Sequence, residues 1–415
     1  MRRTEGHTRY AGGLSPGQPA GRRVHRSPRS LPHGGKLLRV HDVDGFGHLR
    51  QADRFEGPQE IGLIRGREAV GHDSIPIIRE VQIVPPNVIM KAMVTGALRS
   101  AAKVAFRRGG GIRVARWLNR HGLRILTYHH FAGRASLERQ CAHIRQCYTP
   151  VTMEQTAQAF AGGKPLPAKA LAVTVDDGYR DFFEVAYPVF QEFGIPATVF
   201  VVTRFLDGGY WLWGDRVKYA FRHTPLERTR LELPDGTVLT HELPDPPARE
   251  RAATEVKERA KLLCRRDCST FVDSVAPALG IEIPGSPDGE FQAMSWDEAR
   301  QAAAGGMEIG AHTVSHPILS SLGSWAEMAE EIAGSKRRIE SQLDRPAPHF
   351  CYPNGRMRDI GPATAAVRDA GFATAVTTEP GVNRAGADPF LLLRIGVESS
   401  YPPAYFEQRA AAVGI

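Results

Sequence analysis

At 415 residues, 42% apolar and 24% charged, the chain has the make-up of a globular protein of one enlarged domain or two to three ordinary ones. It contains no run near the ~18 to 20 apolar residues of a membrane-spanning helix. Its net charge of +8 is an N-terminal property: residues 1–89 hold 14 Lys/Arg against 9 Asp/Glu and residues 90–130 hold 9 against none, whereas residues 131–415 hold 30 against 36. The main body thus lacks the basic face of a nucleic-acid binder.

Residues 1–89 are rich in Gly, Arg, His and Pro and show almost no apolar periodicity before Ile61, a composition that predicts low order. No secretory apolar segment lies near Met1. The compartment is left open between cytoplasm and cell envelope. At Met90 the character changes abruptly, as it would if translation began at Met90 or Met93. Residues 90–120 read as a basic amphipathic helix, with Met90, Val94, Leu98, Ala101, Val104 and Ala105 near one face. A solvated leader helix packed on the domain is the favoured reading, and peripheral contact with anionic lipid the alternative.

From Leu123 onward, strands and helices alternate. Strands are expected at Leu123–Tyr128, Leu171–Val175, Ala197–Val202, Met307–Gly310, Phe350–Tyr352, Phe372–Thr378 and Leu391–Val397. A helix is expected from Phe182 to Phe193, and two more open at the Ser-x-x-Glu boxes of Ser295 and Ser324. This alternation predicts an α/β fold with a parallel sheet closed as a barrel of about seven strands. It occupies residues 121–415, interrupted by an insertion at about 208–294 that reads as a polar, turn-rich piece followed by charged helix from about Arg249 to Leu279. Five cysteines, none in a Cys-x-x-Cys pair, argue against a disulfide framework or a zinc cage. Cys264 and Cys268 are read as packing residues.

Three segments carry chemistry. Asp176-Asp177-Gly178 follows a strand, where barrel residues face the active end, and two adjacent carboxylates there are expected to take different tasks. His312 and His316, at i and i+4 after another strand, converge on one face of a turn. With one carboxylate they make a three-donor set with an open position, as a hydrolytic metal site requires. The loop Phe350-Cys351-Tyr352-Pro353-Asn354-Gly355 is shaped to aim backbone N–H groups inward.

Together these segments resemble the NodB-type polysaccharide deacetylases of carbohydrate esterase family 4. Thr174-Val175-Asp176-Asp177-Gly178 matches the family's first motif and His312-Thr313-Val314-Ser315-His316 its second. The resemblance spans about Leu123 to Val397 and implies a distorted (β/α) barrel of the NodB-homology type. It implies removal of N-acetyl groups from an amino-sugar polysaccharide or oligosaccharide, Asp177, His312 and His316 holding a divalent metal, with zinc the expected ion. Asp176 is then the general base and the Asn354 backbone N–H an oxyanion donor. The chain departs from the family twice. Cys351 stands where the third motif commonly has an arginine, and the form Phe-x-Tyr-Pro-x-Gly resembles an exopolysaccharide-type branch; Arg394 is the candidate replacement. No histidine follows His349, so the usual C-terminal leucine-histidine motif is missing, and His129 becomes the candidate proton donor, as that branch carries a histidine there. His130 is expected to matter less. Tyr210, Trp211 and Trp213 suit either sugar stacking or a buried cluster. The competing readings are a non-catalytic glycan-binding homologue and an amidase on another small amide. The expected partner is an N-acetylated glycan, not nucleic acid; the oligomeric state is undefined.

Overall fold

The computed structural model describes residues 109–263 and 268–414. Expectations for residues 1–108, for Cys264 and for the side chain of Cys268 lie outside these residues. Of the basic N-terminal stretch, one helix is described, Gly111–Leu118. It buries Ile112 and leaves Val114, Trp117 and Leu118 exposed. No helix among the described residues is long and apolar enough to cross a membrane.

Ten strands among the described residues are numbered in chain order: β1 Arg124–Tyr128, β2 Thr149–Pro150, β3 Ala170–Val175, β4 Ala197–Val201, β5 Arg228–Glu232, β6 Val238–Glu242, β7 Glu308–Ala311, β8 His349–Cys351, β9 Thr374–Pro380 and β10 Leu392–Gly396. Seven of them, in the order β1-β10-β9-β8-β7-β4-β3, are parallel throughout, and the pairing of β1 with β3 closes the ring. The short β2 attaches to the start of β3. All seven barrel strands fall within one to two residues of the runs read from the sequence.

Because strand side chains alternate, the barrel has two apolar layers. Leu126, Tyr128, Val173, Val175, Val199 and Val201 join the cluster that includes the surrounding helices. Ile125, Ala172, Phe200, Cys351, Val376 and Leu392 form a separate cluster, the filling of the barrel itself. Continuing the inward phase along β1, β3 and β10 places Thr127, Thr174 and Arg394 above this filling, and Asp176 just beyond β3. This period-2 phase delivers polar groups to one end.

The helices expected after Ser295 and Ser324 start there, and one that the sequence reading did not name starts after Thr152. Thr152 and Ser295 each make a two-way capping box, with Gln155 and Glu298 respectively. At Ser324 only half the box forms: its side chain accepts the Glu327 N–H, while the Glu327 carboxylate accepts from Gly323 instead. The expected helix Phe182–Phe193 begins as a π-turn, Phe182–Ala186, before an α segment, Tyr187–Glu192. The insertion is more ordered than its composition suggests. Its turn-rich part contains a helix, Trp213–His223, and the antiparallel β5–β6 hairpin, and the charged helix is two helices, Pro246–Leu263 and Cys268–Ala278. Val217, Phe221, Leu231, Leu243, Val256, Phe271 and Leu279 give it a core of its own. Trp211 is buried within the insertion, where its Nε1–H donates to the Pro284 carbonyl at 2.7 Å and its ring meets Tyr219 and Phe291, and Trp213 packs on the insertion core. The aromatic group is a packing feature.

Candidate active site

Asp176 ends the inward phase of β3 and is 2% exposed. Its carboxylate meets Arg394 in a two-pronged pair, Nη1 to Oδ1 and Nη2 to Oδ2, both 2.7 Å. Arg394 is wholly buried, and its remaining donors are used: Nε on the Thr377 carbonyl at 2.7 Å, Nη1 on the Thr127 and Thr174 hydroxyls at 2.9 and 3.2 Å, and Nη2 on the Cys351 sulfur at 3.2 Å. Burial works against an ionised Asp176, yet the Arg394 charge and hydrogen bonds hold its pKa below the usual carboxylate range. The guanidinium thus reaches Asp176 from β10 and touches the sulfur of Cys351, the residue that stands where an arginine was expected.

Asp177 turns away with φ +72°, a left-handed conformation rare for a side-chain-bearing residue. Its Oδ1 lies 3.4 Å from His312 Nε2 and 3.5 Å from His316 Nε2, is buried, and has no hydrogen-bond partner. His312 follows β7, and its Nδ1 lies 2.7 Å from the Cys351 carbonyl, which can only accept. Nδ1 therefore carries the proton and Nε2 is left to face Asp177 and His316. Burial opposes the His312 imidazolium, but the Cys351 side chain and Asp177 outweigh it and raise the pKa well above the usual range. His316 is pushed down to about 4 by burial and by His312. One oxygen and two imidazole nitrogens, all within 4.8 Å of one another, are a fitting donor set for a small divalent cation. The orphaned Asp177 oxygen points the same way.

The loop between the histidines is held from outside. Thr313 and His316 have φ of +68° and +60°. Glu331, on the helix Trp325–Leu343, accepts the N–H groups of Val314 and Ser315 at 2.9 Å each, Tyr210 donates to the Ser315 carbonyl at 2.9 Å, and Thr313 Oγ1 accepts the His316 N–H at 3.0 Å. Sequence reasoning missed Glu331; only its place on a helix beside the motif signals it. It also missed Tyr179, whose hydroxyl donates to the buried Asp215 of the insertion at 2.7 Å.

The other expected residues gather at the same mouth. His129 is half exposed, with Nε2 3.8 Å from Asp176 Oδ2. Asn354 has φ +57° and a buried Nδ2 without a partner. Both line, with Asp176, Asp177, His312 and His316, a cavity of ≈ 320 Å³. His130 is turned aside onto Asp181 at 3.1 Å and the Tyr179 ring.

The sequence model of the polysaccharide deacetylase family matches residues 163–228 and 275–375, which include both aspartates, both histidines and the Tyr352–Gly355 loop. Over these two stretches, about two-fifths of its length, the chain is similar to the polysaccharide deacetylase family. Among curated relatives, a poly-β-1,6-N-acetyl-D-glucosamine N-deacetylase of Escherichia coli (strain K12) is 40% identical over 74 residues, 18% of this chain and 11% of that one. A putative polysaccharide deacetylase, YxkH, of Bacillus subtilis (strain 168) is 28% identical over 109 residues, 24% and 39% of the two chains. The matched stretches are thus well under half of either relative. Similar solved structures include IcaB from Ammonifex degensii, at 20% identity with a TM-score of 0.46 over 70% of this chain and 97% of that one.

A buried charge pair of this kind is expensive to break. Arg394→Met is expected to destabilise the fold by roughly 3–5 kcal/mol near neutral pH, because it strands an ionised Asp176 in the barrel. The Asp176 contribution is present above the unfolded carboxylate pKa near 4 and is lost as pH falls through its lower folded value. The defect should therefore shrink in acid. Urea unfolding at several pH values checks this; equal destabilisation at every pH would remove the ion-pair explanation.

Proposed function

We propose that the chain is a metal-dependent hydrolase that removes N-acetyl groups from an amino-sugar polysaccharide of the exopolysaccharide type. The convergence of Asp177, His312 and His316 beside a second, ionised carboxylate carries this reading. These three residues would hold a divalent cation, zinc being suited to one oxygen and two nitrogens with a position left open. Such a cation, when bound, polarises the acetyl carbonyl and acidifies a water. Asp176 takes the proton of the attacking water as the new C–O bond forms; Arg394 keeps its carboxylate ionised and aligned. His129, within reach of Asp176 and open to solvent, gives a proton to the sugar nitrogen as the C–N bond breaks. Asn354 sits in a strained loop facing the cavity, where its N–H would stabilise negative charge developing on the carbonyl oxygen.

A lesser proposal concerns location. The exposed Val114, Trp117 and Leu118, flanked by Arg113, Arg116 and Arg120, have the composition of a peripheral contact with anionic lipid. Co-sedimentation of the full chain with vesicles containing phosphatidylglycerol, lost in Trp117→Ala/Leu118→Ala, is the expected outcome. Equal recovery with the unaltered chain and the variant would discard the contact.

The catalytic assignment is tested on acetate release from N-acetylglucosamine oligosaccharides. Chelator should abolish it and zinc restore it. His312→Ala and His316→Ala should lose bound metal, measured by elemental analysis, and with it turnover. Asp176→Asn should keep metal yet lose about 100- to 10,000-fold in turnover. Metal loss in that variant would mean that the roles of the two aspartates are exchanged. Acetate release insensitive to chelator would reject the metal reading.

For the proton donor, His129→Ala should bind metal and substrate normally and turn over at least about 100-fold more slowly, with the alkaline limb of the pH profile changed. A profile of unchanged shape, with full turnover, would leave the leaving-group proton to another acid.

A further inference from the structure

A second cavity, of ≈ 750 Å³, lies at the end of the barrel away from the catalytic groups. Those groups follow the C-terminal ends of strands, whereas this cavity is walled by Lys169, just before β3, and by the helix Gly111–Leu118 that precedes β1. Arg113, Arg116, Arg120 and Lys169 supply its cations, and Glu407 is the one acidic residue in its lining. None of the four cations has an ion pair among the described residues; Glu407 lies 3.9 Å from His143, on the same wall. Arg120 is folded back on the Trp117 carbonyl and ring, which leaves Arg113, Arg116 and Lys169 uncommitted.

The imbalance continues behind the wall. Arg124, the first residue of β1, is wholly buried. Its Nη1 donates to the Asn119 carbonyl at 3.1 Å, while Nε and Nη2 have no partner. The guanidinium lies 5.3 Å from the centre of the Tyr148 ring, and that ring 6.0 Å from His143, a residue of the cavity wall. The Tyr148 hydroxyl and His143 Nε2 are also buried without partners. Arg394, in the same barrel, has a carboxylate and a use for every donor; Arg124 has neither. Burial pulls the Arg124 pKa down, Tyr148 opposes this, and the charges of Arg116 and Arg384 add to it. A buried guanidinium beside further cations calls for a counter-charge, because an uncompensated buried ion costs several kcal/mol.

We propose that this cavity binds a phosphate group, held by Arg113, Arg116 and Lys169 and supplying the counter-charge that Arg124 lacks. Arginine forks suit phosphate oxygens, and several cations against one acid favour a doubly charged anion. The phosphate is either free or part of a lipid headgroup, the exposed Val114, Trp117 and Leu118 of the same helix being placed to enter a bilayer surface. The site is independent of the deacetylase reading, and it needs no membrane contact through Trp117 and Leu118.

The test uses the full chain and inorganic phosphate, with chloride at equal ionic strength as reference. Phosphate should raise the melting temperature by about 2–4 °C, as a ligand of the folded state does. Arg113→Glu/Lys169→Glu, at two exposed positions, should lose this shift. Arg251→Glu/Arg259→Glu, the same change of charge on the insertion helix, should keep it, and so should Trp117→Ala/Leu118→Ala. A second arm uses phosphatidylcholine vesicles with and without phosphatidylglycerol. Binding to the phosphatidylglycerol vesicles that phosphate competes away, and that Arg113→Glu/Lys169→Glu abolishes, assigns the site to a headgroup. Stabilisation by phosphate without such binding assigns it to the free anion. Equal melting temperatures in phosphate and chloride, with vesicle binding absent or untouched by phosphate, would overturn the proposal. So would a shift that survives in Arg113→Glu/Lys169→Glu, or one lost equally in Arg251→Glu/Arg259→Glu.

Discussion

A guanidinium and a carboxylate closed inside a parallel barrel set the terms for the rest of the molecule. Removing two charges from water costs several kcal/mol per ion, and their attraction compensates only when geometry is good and every remaining donor is used. Arg394 meets that demand: six contacts run from it to five partners, Asp176, Thr127, Thr174, the Thr377 carbonyl and the Cys351 sulfur. The partners stand on four strands or strand ends, β1, β3, β8 and β9, so the pair forms only if these and β10 close in their observed register. Barrel closure and the ionised state of Asp176 are one requirement seen from two sides.

Strain is concentrated at the same end. Asp177, Thr313, His316 and Asn354 all have positive φ, each costing of order 1–3 kcal/mol for a residue with a side chain. The compensation is visible in the bonds that hold these turns: Glu331 on two amides of the histidine loop, Tyr210 on its carbonyl, and the Val202 N–H on the Asp177 carbonyl at 3.2 Å. Gly178 completes the first turn at φ +87°, where a Cβ would approach Leu206 to 2.9 Å. The outcome is three donor atoms held close together and underused by the protein, which is how a site is arranged in advance for a cation.

How much of this is legible in the sequence follows from the range of the interactions. The seven barrel strands show as short apolar runs because buried parallel strands need apolar faces on both sides. The aspartate pair and the histidine pair show because their spacing is local. Arg394 is visible only as a cation at the end of a strand; its pairing with Asp176 spans 218 residues and depends on closure of the ring. Glu331 and Asp215 are legible still less, since a helix surface carries many carboxylates and nothing local marks the one that reaches a loop. The insertion misleads for another reason. Its polar, turn-rich stretch hides a hairpin whose β5 strand alternates exposed and buried residues, leaving few apolar positions to be seen.

The insertion also changes how the site should be divided. The chemistry lies deep, where Arg394, Asp176 and the three donor atoms are shielded and their electrostatics are strong. Lys261, Arg356 and Arg358 lie at the mouth, partly or fully exposed, where charge is screened and acts over a few ångströms on whatever approaches. Altering the deep set threatens the fold, because its charges are buried and mutually satisfied. Altering the shallow set threatens little, because solvent takes over each lost contact. The inserted helix and the segment after β8 are therefore free to change while the barrel pair stays fixed.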